Sequence, residues 1–157
     1  MGREMGREMG REMGREMALV SPESLPLIAL KSMGDPVDPE RDGLRVLVER
    51  HRGRGRDHEK YDVWMASLGP SEGLLRDWAE GELDPGLFLR RYREELLLVG
   101  EIDQRNTTVK NHGQKFTLRL LREIGLRLGV TLLGHGAVGR EGCHLGVLRE
   151  MIEQSAR

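Results

Sequence analysis

The pattern of apolar and polar positions predicts short buried strands in the first part of the chain. Residues 24–33 indicate a first strand, and residues 43–50 alternate apolar and polar positions only in part. This pattern is typical of strands that are covered on most of both faces. Residues 61–68 indicate a further short strand or an extended segment, and residues 130–133 a last strand of the buried type.

Helical periodicity dominates the rest of the chain. A first helix opens at Ser71, and a second begins where Asp84 precedes Pro85, a capping carboxylate followed by proline at the first helical position. The longest periodic run covers 112–128, and a final helix follows residue 142. For the run at 112–128 we expect the buried face to consist of four residues spaced by four: Phe116, Leu120, Ile124 and Leu128.

The order of these elements predicts the fold class. Strands, then helices, then a strand and a helix favour α/β architecture, with a small, at least partly parallel sheet flanked by helices. A chain of 157 residues suits one domain. We therefore predict a single α/β domain over residues 18–157.

The chain opens with four copies of Met-Gly-Arg-Glu before Met17. Glycine at every fourth position costs a helix about 1 kcal/mol per residue relative to alanine. We therefore predict that residues 1–17 form a disordered or loosely helical extension. The alternative is a methionine stripe that binds a partner.

Composition narrows the function classes. The formal net charge of −1 gives no overall attraction to nucleic acid or to anionic membranes. The single cysteine excludes an internal disulfide framework and favours a reducing compartment. No apolar run approaches the roughly 18 residues of a membrane span, and the N-terminus lacks the apolar region of a signal peptide. We expect a cytoplasmic protein without a membrane partner.

A glycine-rich turn follows the last predicted strand. Gly134, Gly136 and Gly139 match the G-x-G-x-x-G pattern of dinucleotide-binding proteins. However, the sequence given stops at Arg157, before the next strand and the acidic residue that bind the ribose in such proteins. We therefore predict no dinucleotide and no other cofactor. A strand-to-helix turn that needs glycine for its backbone freedom is the plainer interpretation.

The start of the final helix remains a candidate anion site. Free N–H groups and the helix dipole attract negative charge there. Gly142 and Arg140 are the candidate ligand-binding residues.

A second candidate loop follows the second predicted strand. Arg50, Arg52, Arg54 and Arg56 occur at every second position of this loop. Because ligands of open α/β sheets bind beyond the carboxyl ends of the strands, this loop and the glycine-rich turn would edge one crevice. Arg50, Arg52 and Arg54 would then bind a phosphate or carboxylate. The alternative is a solvated basic loop, and the lack of interleaved aromatic residues disfavours nucleic acid.

Cys143 and His144 are the candidate catalytic residues. His144 suits general acid–base chemistry, and a thiolate of Cys143 at a helix start would have a lowered pKa. The alternatives are a histidine that bonds the backbone and a small buried cysteine. We predict no metal site, because adjacent helical residues point about 100° apart and no second cysteine is present.

Taken in order, several segments resemble the YeaO-like family (domain of unknown function 488). The similarity covers residues from about 26 to 155 and rests on five short matches: Val48-Glu49-Arg50, Gly53-Arg54-Gly55, Asp62 with Trp64, Pro70-Ser71, and His144. His51-Arg52-Gly53 stands where the family has Leu-Trp-Pro. The resemblance implies a cytoplasmic single-domain α/β protein and brings no established reaction. It marks Arg50, Arg54 and His144 independently of the loop argument.

Two function classes follow from the sequence. The first is a crevice that binds an anionic small molecule, a phosphate or a nucleotide, with His144 transferring protons or orienting the ligand. The second is a non-catalytic interaction module, with a homodimer among its forms, whose Arg-Gly loop binds an acidic protein or RNA. The sequence leaves open whether the protein is an enzyme.

Overall fold

A computed structural model describes residues 24–53, 57–97 and 113–155. Residues 1–17, predicted to form an extension, lie outside this part of the chain. The described residues form four strands and four α-helices. The strands are β1 (Ile28–Ser32), β2 (Leu44–Leu47), β3 (Val63–Trp64) and β4 (Val130–Gly134). The helices are α1 (Glu72–Ala79), α2 (Pro85–Leu97), α3 (Lys115–Arg127) and α4 (Leu145–Glu153).

The four strands form one sheet in the order β1-β4-β2-β3. Every neighbouring pair is parallel, and Leu132 of β4 pairs with Leu30 on one side and Val46 on the other. All five residues of β4 are buried, as expected of a central strand. The predicted α/β fold class is therefore confirmed, and the sheet of the described residues is parallel throughout.

Alternate strand residues enter two different apolar clusters. Val46 and Leu132 belong to the larger cluster, to which all four helices contribute, among them Phe88 and Leu148. The residues that follow them in the strands point to the opposite face, where a smaller cluster is formed by Met33, Leu47, Leu133 and the half-buried Tyr61. The strands therefore need apolar residues on both faces, which explains their weak alternation in the sequence.

The predicted buried face of the third helix is wrong. In α3 the buried residues are Leu118, Leu121, Arg122 and Gly125. Phe116, Leu120 and Leu128 are exposed by 74%, 53% and 74%, and Ile124 alone of the predicted four packs against the core.

Gly125 explains why α3 turns this other face inward. A β-carbon at Gly125 would lie 2.8 Å from Cβ of Pro26, and the carbonyl of Gly125 accepts a hydrogen bond from the N–H of Leu27 at 3.0 Å. The helix therefore approaches the backbone that leads into β1 along its smallest residue. None of the described helices is both long enough and apolar enough to cross a membrane.

Candidate site at the carboxyl ends of β2 and β4

A buried carboxylate lies where β2 and β4 end side by side. Glu49 follows β2, is only 8% exposed, and accepts a hydrogen bond on Oε1 from the N–H of His135 at 3.1 Å. Gly134 makes room for this carboxylate, because a β-carbon there would lie 3.1 Å from the same Oε1. The second oxygen of Glu49, Oε2, accepts no hydrogen bond from the described residues.

His144 is held directly beside this carboxylate-bearing strand end. Its Nε2–H donates to the carbonyl of Val48 at 2.7 Å, and its ring meets the ring of Tyr92 edge-on at 5.1 Å between centroids. Because a carbonyl only accepts, Nε2 carries the proton. His144 makes no capping hydrogen bond at the start of α4, and Nδ1 has no hydrogen-bond partner within the described ranges.

Burial determines the protonation states of His144 and Tyr92. Desolvation lowers the pKa of His144, although the nearby Glu49 carboxylate opposes this shift; Arg140 adds to it. His144 is therefore neutral at pH 7, with Nδ1 as a free acceptor. Burial also raises the pKa of Tyr92 well above its usual value, so that its hydroxyl stays protonated and donates to the carbonyl of Leu68 at 2.6 Å.

The two loops that follow β2 and β4 meet through His135. The Nε2–H of His135 donates to the carbonyl of His51 at 2.6 Å. Gly53 lies against the same imidazole, since a β-carbon there would be 3.3 Å from Cε1 of His135. The predicted contact between the two loops is therefore present at His51 and Gly53, while Arg54 and Arg56 lie outside the described residues.

The three described candidate arginines have different surroundings. Arg50 donates from Nε to the carbonyl of Pro70 and from Nη2 to the carbonyl of Gly69, both at 3.2 Å. It therefore fastens the start of α1 to the end of β2. Arg52 lies over the ring of Trp64.

Arg140 is exposed, and its guanidinium lies against Gly136. Within the described part of the chain this guanidinium has no hydrogen-bond or ion-pair partner. Of the three, Arg140 is the arginine whose charge is available next to His144.

Gly142 and Cys143 form the turn into α4. Gly142 has a φ of +73°, which favours glycine, and a β-carbon there would lie 2.7 Å from the ring of Trp78. The thiol of Cys143 is free and half-buried, and the residue packs against the larger apolar cluster. Both features are consistent with a tight turn that places His144 at the carboxyl ends of β2 and β4.

One family model matches nearly the whole described part of the chain. The DUF488-N3a model, described as the active DUF488-N3 subclade, matches residues 28–156. The chain belongs to this family. The match to DUF488-N3a spans all four strands and all four helices, and it confirms the resemblance to the family of domain of unknown function 488. A search of curated proteins and a search of solved structures gave no match.

Three residues of the candidate site were not singled out as site residues by the sequence patterns. They are Glu49, Trp64 and Tyr92. An acidic residue at the carboxyl end of a predicted parallel strand was a usable signal for Glu49, because ligands bind at such ends. Tyr92 carried no comparable signal, because it also fits the apolar stripe of α2.

One group of carboxylates in the described residues has the spacing of a metal site. The ligand oxygens of Asp77, Glu80 and Glu82 lie within 4.8 Å of one another, around the end of α1. Glu80 and Glu82 are exposed, and Asp77 also pairs with Arg91 at 3.5 Å. Because exposed acidic groups are common without an ion, this arrangement gives no metal function to the DUF488-N3a chain.

We expect the stability of the DUF488-N3a chain to fall in mild acid because of His144. Its pKa is lowered in the folded state, so below about pH 6.5 the unfolded chain takes up the proton first. The loss grows by up to about 1.4 kcal/mol per pH unit until the folded pKa is reached, and it is absent above neutrality.

Urea denaturation between pH 5 and pH 8 measures this slope. His144→Gln keeps an amide N–H for the carbonyl of Val48 and should flatten the pH profile. The exposed His58, changed to Gln, is the control and should leave the profile as in the wild type. An unchanged slope in His144→Gln would show that other groups cause the acid sensitivity.

Proposed function

We propose that this chain binds a small anionic ligand, a phosphate ester or a nucleotide, above the carboxyl ends of β2 and β4. One arrangement carries the proposal. Glu49 and His144 lie buried at one sheet edge, each with an acceptor atom that no described residue uses, beside the exposed guanidinium of Arg140. Neither acceptor is a fully buried atom without a partner, so both are accessible to a ligand or to water.

The negative group of the ligand belongs at Arg140 and the start of α4. Guanidinium groups form paired hydrogen bonds with phosphate oxygens. The N–H of Cys143 already donates to the carbonyl of Arg140 at 3.3 Å, so the backbone N–H groups in the first turn of α4 would add the positive end of the helix dipole. Arg50 contributes charge to the same region but acts by positioning, because two of its nitrogens are bonded to the carbonyls of Gly69 and Pro70.

The floor of the crevice supports proton transfer. Neutral His144 can take a proton on Nδ1, and the negative charge of Glu49 then stabilises the imidazolium. The hydrogen bond to Val48 holds the ring in the required tautomer. The description of the family as active supports a catalytic use of this pair. Cys143 receives no step in this proposal, because it packs against the apolar cluster.

The test is a binding measurement with simple phosphates. We expect inorganic phosphate, pyrophosphate and nucleotides at millimolar concentration to raise the melting temperature of the wild-type chain. Arg140→Gln should weaken this binding about tenfold, the effect of losing one charge-assisted contact. Arg149→Gln removes the same charge from the exposed side of α4 and should leave the affinity unchanged.

Two results would contradict the proposal. Equal losses in the two arginine variants would mean that only the overall charge matters. The absence of any small-anion effect, together with steeply salt-dependent binding of single-stranded RNA, would favour the interaction module instead.

A further inference from the structure

Trp64 is an aromatic ring held firmly at the edge of the candidate crevice. It ends β3 and is 37% exposed. Its indole N–H donates to the backbone carbonyl of Glu49 at 2.8 Å. The ring is therefore bonded to the residue whose carboxylate belongs to the proposed acid–base pair.

A planar cation already lies over this ring. Cζ of Arg52 is 5.0 Å from the ring centroid. Arg52 is exposed, and its guanidinium has no hydrogen-bond or ion-pair partner among the described residues. A guanidinium and an aromatic heterocycle are both planar groups that stack on tryptophan. The ring face therefore already holds a planar group, and a ligand ring would take the place of the Arg52 guanidinium or stack between it and Trp64.

The second tryptophan, Trp78, packs inside the fold and can be compared with Trp64. Trp78 packs against Phe88, with 4.8 Å between ring centroids, and against Gly142. Trp64 belongs to neither apolar cluster of the described residues. Trp64 instead keeps 37% of its surface exposed on the edge strand of the sheet.

We infer that Trp64 and Arg52 form a stacking subsite for a planar heterocycle, so that the ligand is a nucleotide rather than a simple phosphate ester. This inference rests on the proposed anion crevice, in which Arg140 would hold the phosphate of the same ligand. Glu49 links the two parts of the proposed site, since its carbonyl binds Trp64 and its carboxylate binds the backbone of His135. Because Trp64 pairs with Leu47, whose side chain lies on the sheet face opposite the helices, the ligand would cross the carboxyl edge of the sheet.

Three probes measure the contributions of the heterocycle and the phosphate to binding separately. Adenosine monophosphate carries both groups, ribose 5-phosphate only the phosphate, and adenosine only the ring. Isothermal titration calorimetry should show that the wild-type chain binds adenosine monophosphate about tenfold more tightly than ribose 5-phosphate. Trp64→Leu should abolish this difference and leave the affinity for ribose 5-phosphate unchanged. Trp64→Phe keeps an aromatic face and should retain most of the difference.

The results distinguish failure of this inference from failure of the anion crevice. Equal affinities for adenosine monophosphate and ribose 5-phosphate, both insensitive to Trp64→Leu, overturn the stacking subsite and leave the crevice intact. Binding of adenosine that is unchanged in Arg140→Gln, without binding of ribose 5-phosphate, overturns the crevice and supports the stacking subsite. If none of the three probes binds, both fail. Much tighter, steeply salt-dependent binding of single-stranded oligonucleotides overturns the small-ligand assignment.

Discussion

Gly69→Ala should lower the free energy of unfolding by about 3 kcal/mol, an overpacking cost at the upper end of the usual range. The backbone of Gly69 has a φ of −81° and a ψ of 160°, which any residue adopts. The cost comes from contact alone. A β-carbon at Gly69 would lie 2.6 Å from the carbonyl carbon of Glu49 and nearer still to the nitrogen of Arg50. Both are backbone atoms, so no side-chain movement relieves the overlap.

The same substitution should weaken the proposed phosphate binding, because Gly69 supports the candidate site. Its carbonyl accepts a hydrogen bond from Arg50, and its neighbour Leu68 accepts the hydroxyl of Tyr92. Displacing this turn therefore disturbs both the strand end that carries Glu49 and the ring that packs on His144.

Gly73→Ala is the matched control for this prediction. Gly73 lies in α1, and nothing is within 4 Å of the position of its β-carbon. Alanine there should stabilise the fold by roughly 0.5–1 kcal/mol through helix propensity. Urea denaturation of both variants measures the difference. A Gly69→Ala variant as stable as the wild type would show that the turn and the end of β2 are not in close contact.

Local patterns were sufficient to predict the elements of the fold but not their neighbours in the sheet. The helix-start signals at Ser71 and Asp84 act within one turn of chain, and the structure has helices starting at Glu72 and Pro85. The central position of β4 depends on pairing with two strands about 85 to 100 residues away, which no local pattern encodes.

The candidate site was also predictable from the sequence only in part. The rule that parallel strands end at one edge predicted that the two loops meet, as His135 and His51 do. The partner of each side chain could not be predicted, because it depends on tertiary distances. Arg50 bonds two carbonyls at the start of α1, and Glu49 enters the space left by Gly134. Neither contact is visible in the residues next to them in sequence.

The orientation of α3 was mispredicted because its sequence contains two apolar stripes. One is spaced by four from Phe116, and the other contains Leu118, Leu121 and Gly125. The first has larger side chains and so looks like the core face. The second is buried, because Gly125 allows close contact with Pro26 and because Arg122 donates to the carbonyl of Ser24 at 2.8 Å. Close packing of backbones, rather than side-chain size, decided the face.

Two adjacent leucines test this orientation directly. Leu121 is fully buried, whereas Leu120 is 53% exposed. Leu121→Ala should therefore lower the free energy of unfolding by about 2–5 kcal/mol, the range for a leucine removed from a packed core. Leu120→Ala should change it by no more than about 0.5 kcal/mol, because an exposed position loses little and alanine is a good helix former.

Each variant is the control of the other, since both remove the same atoms from the same turn of one helix. Chemical denaturation at neutral pH gives both values. The reverse order of effects would mean that α3 buries the stripe of Phe116, and the contact of Gly125 with Pro26 would then be lost. Similar large losses in both variants would instead mean that the stripe containing Leu120 is covered in solution, as in the homodimer that the sequence left open.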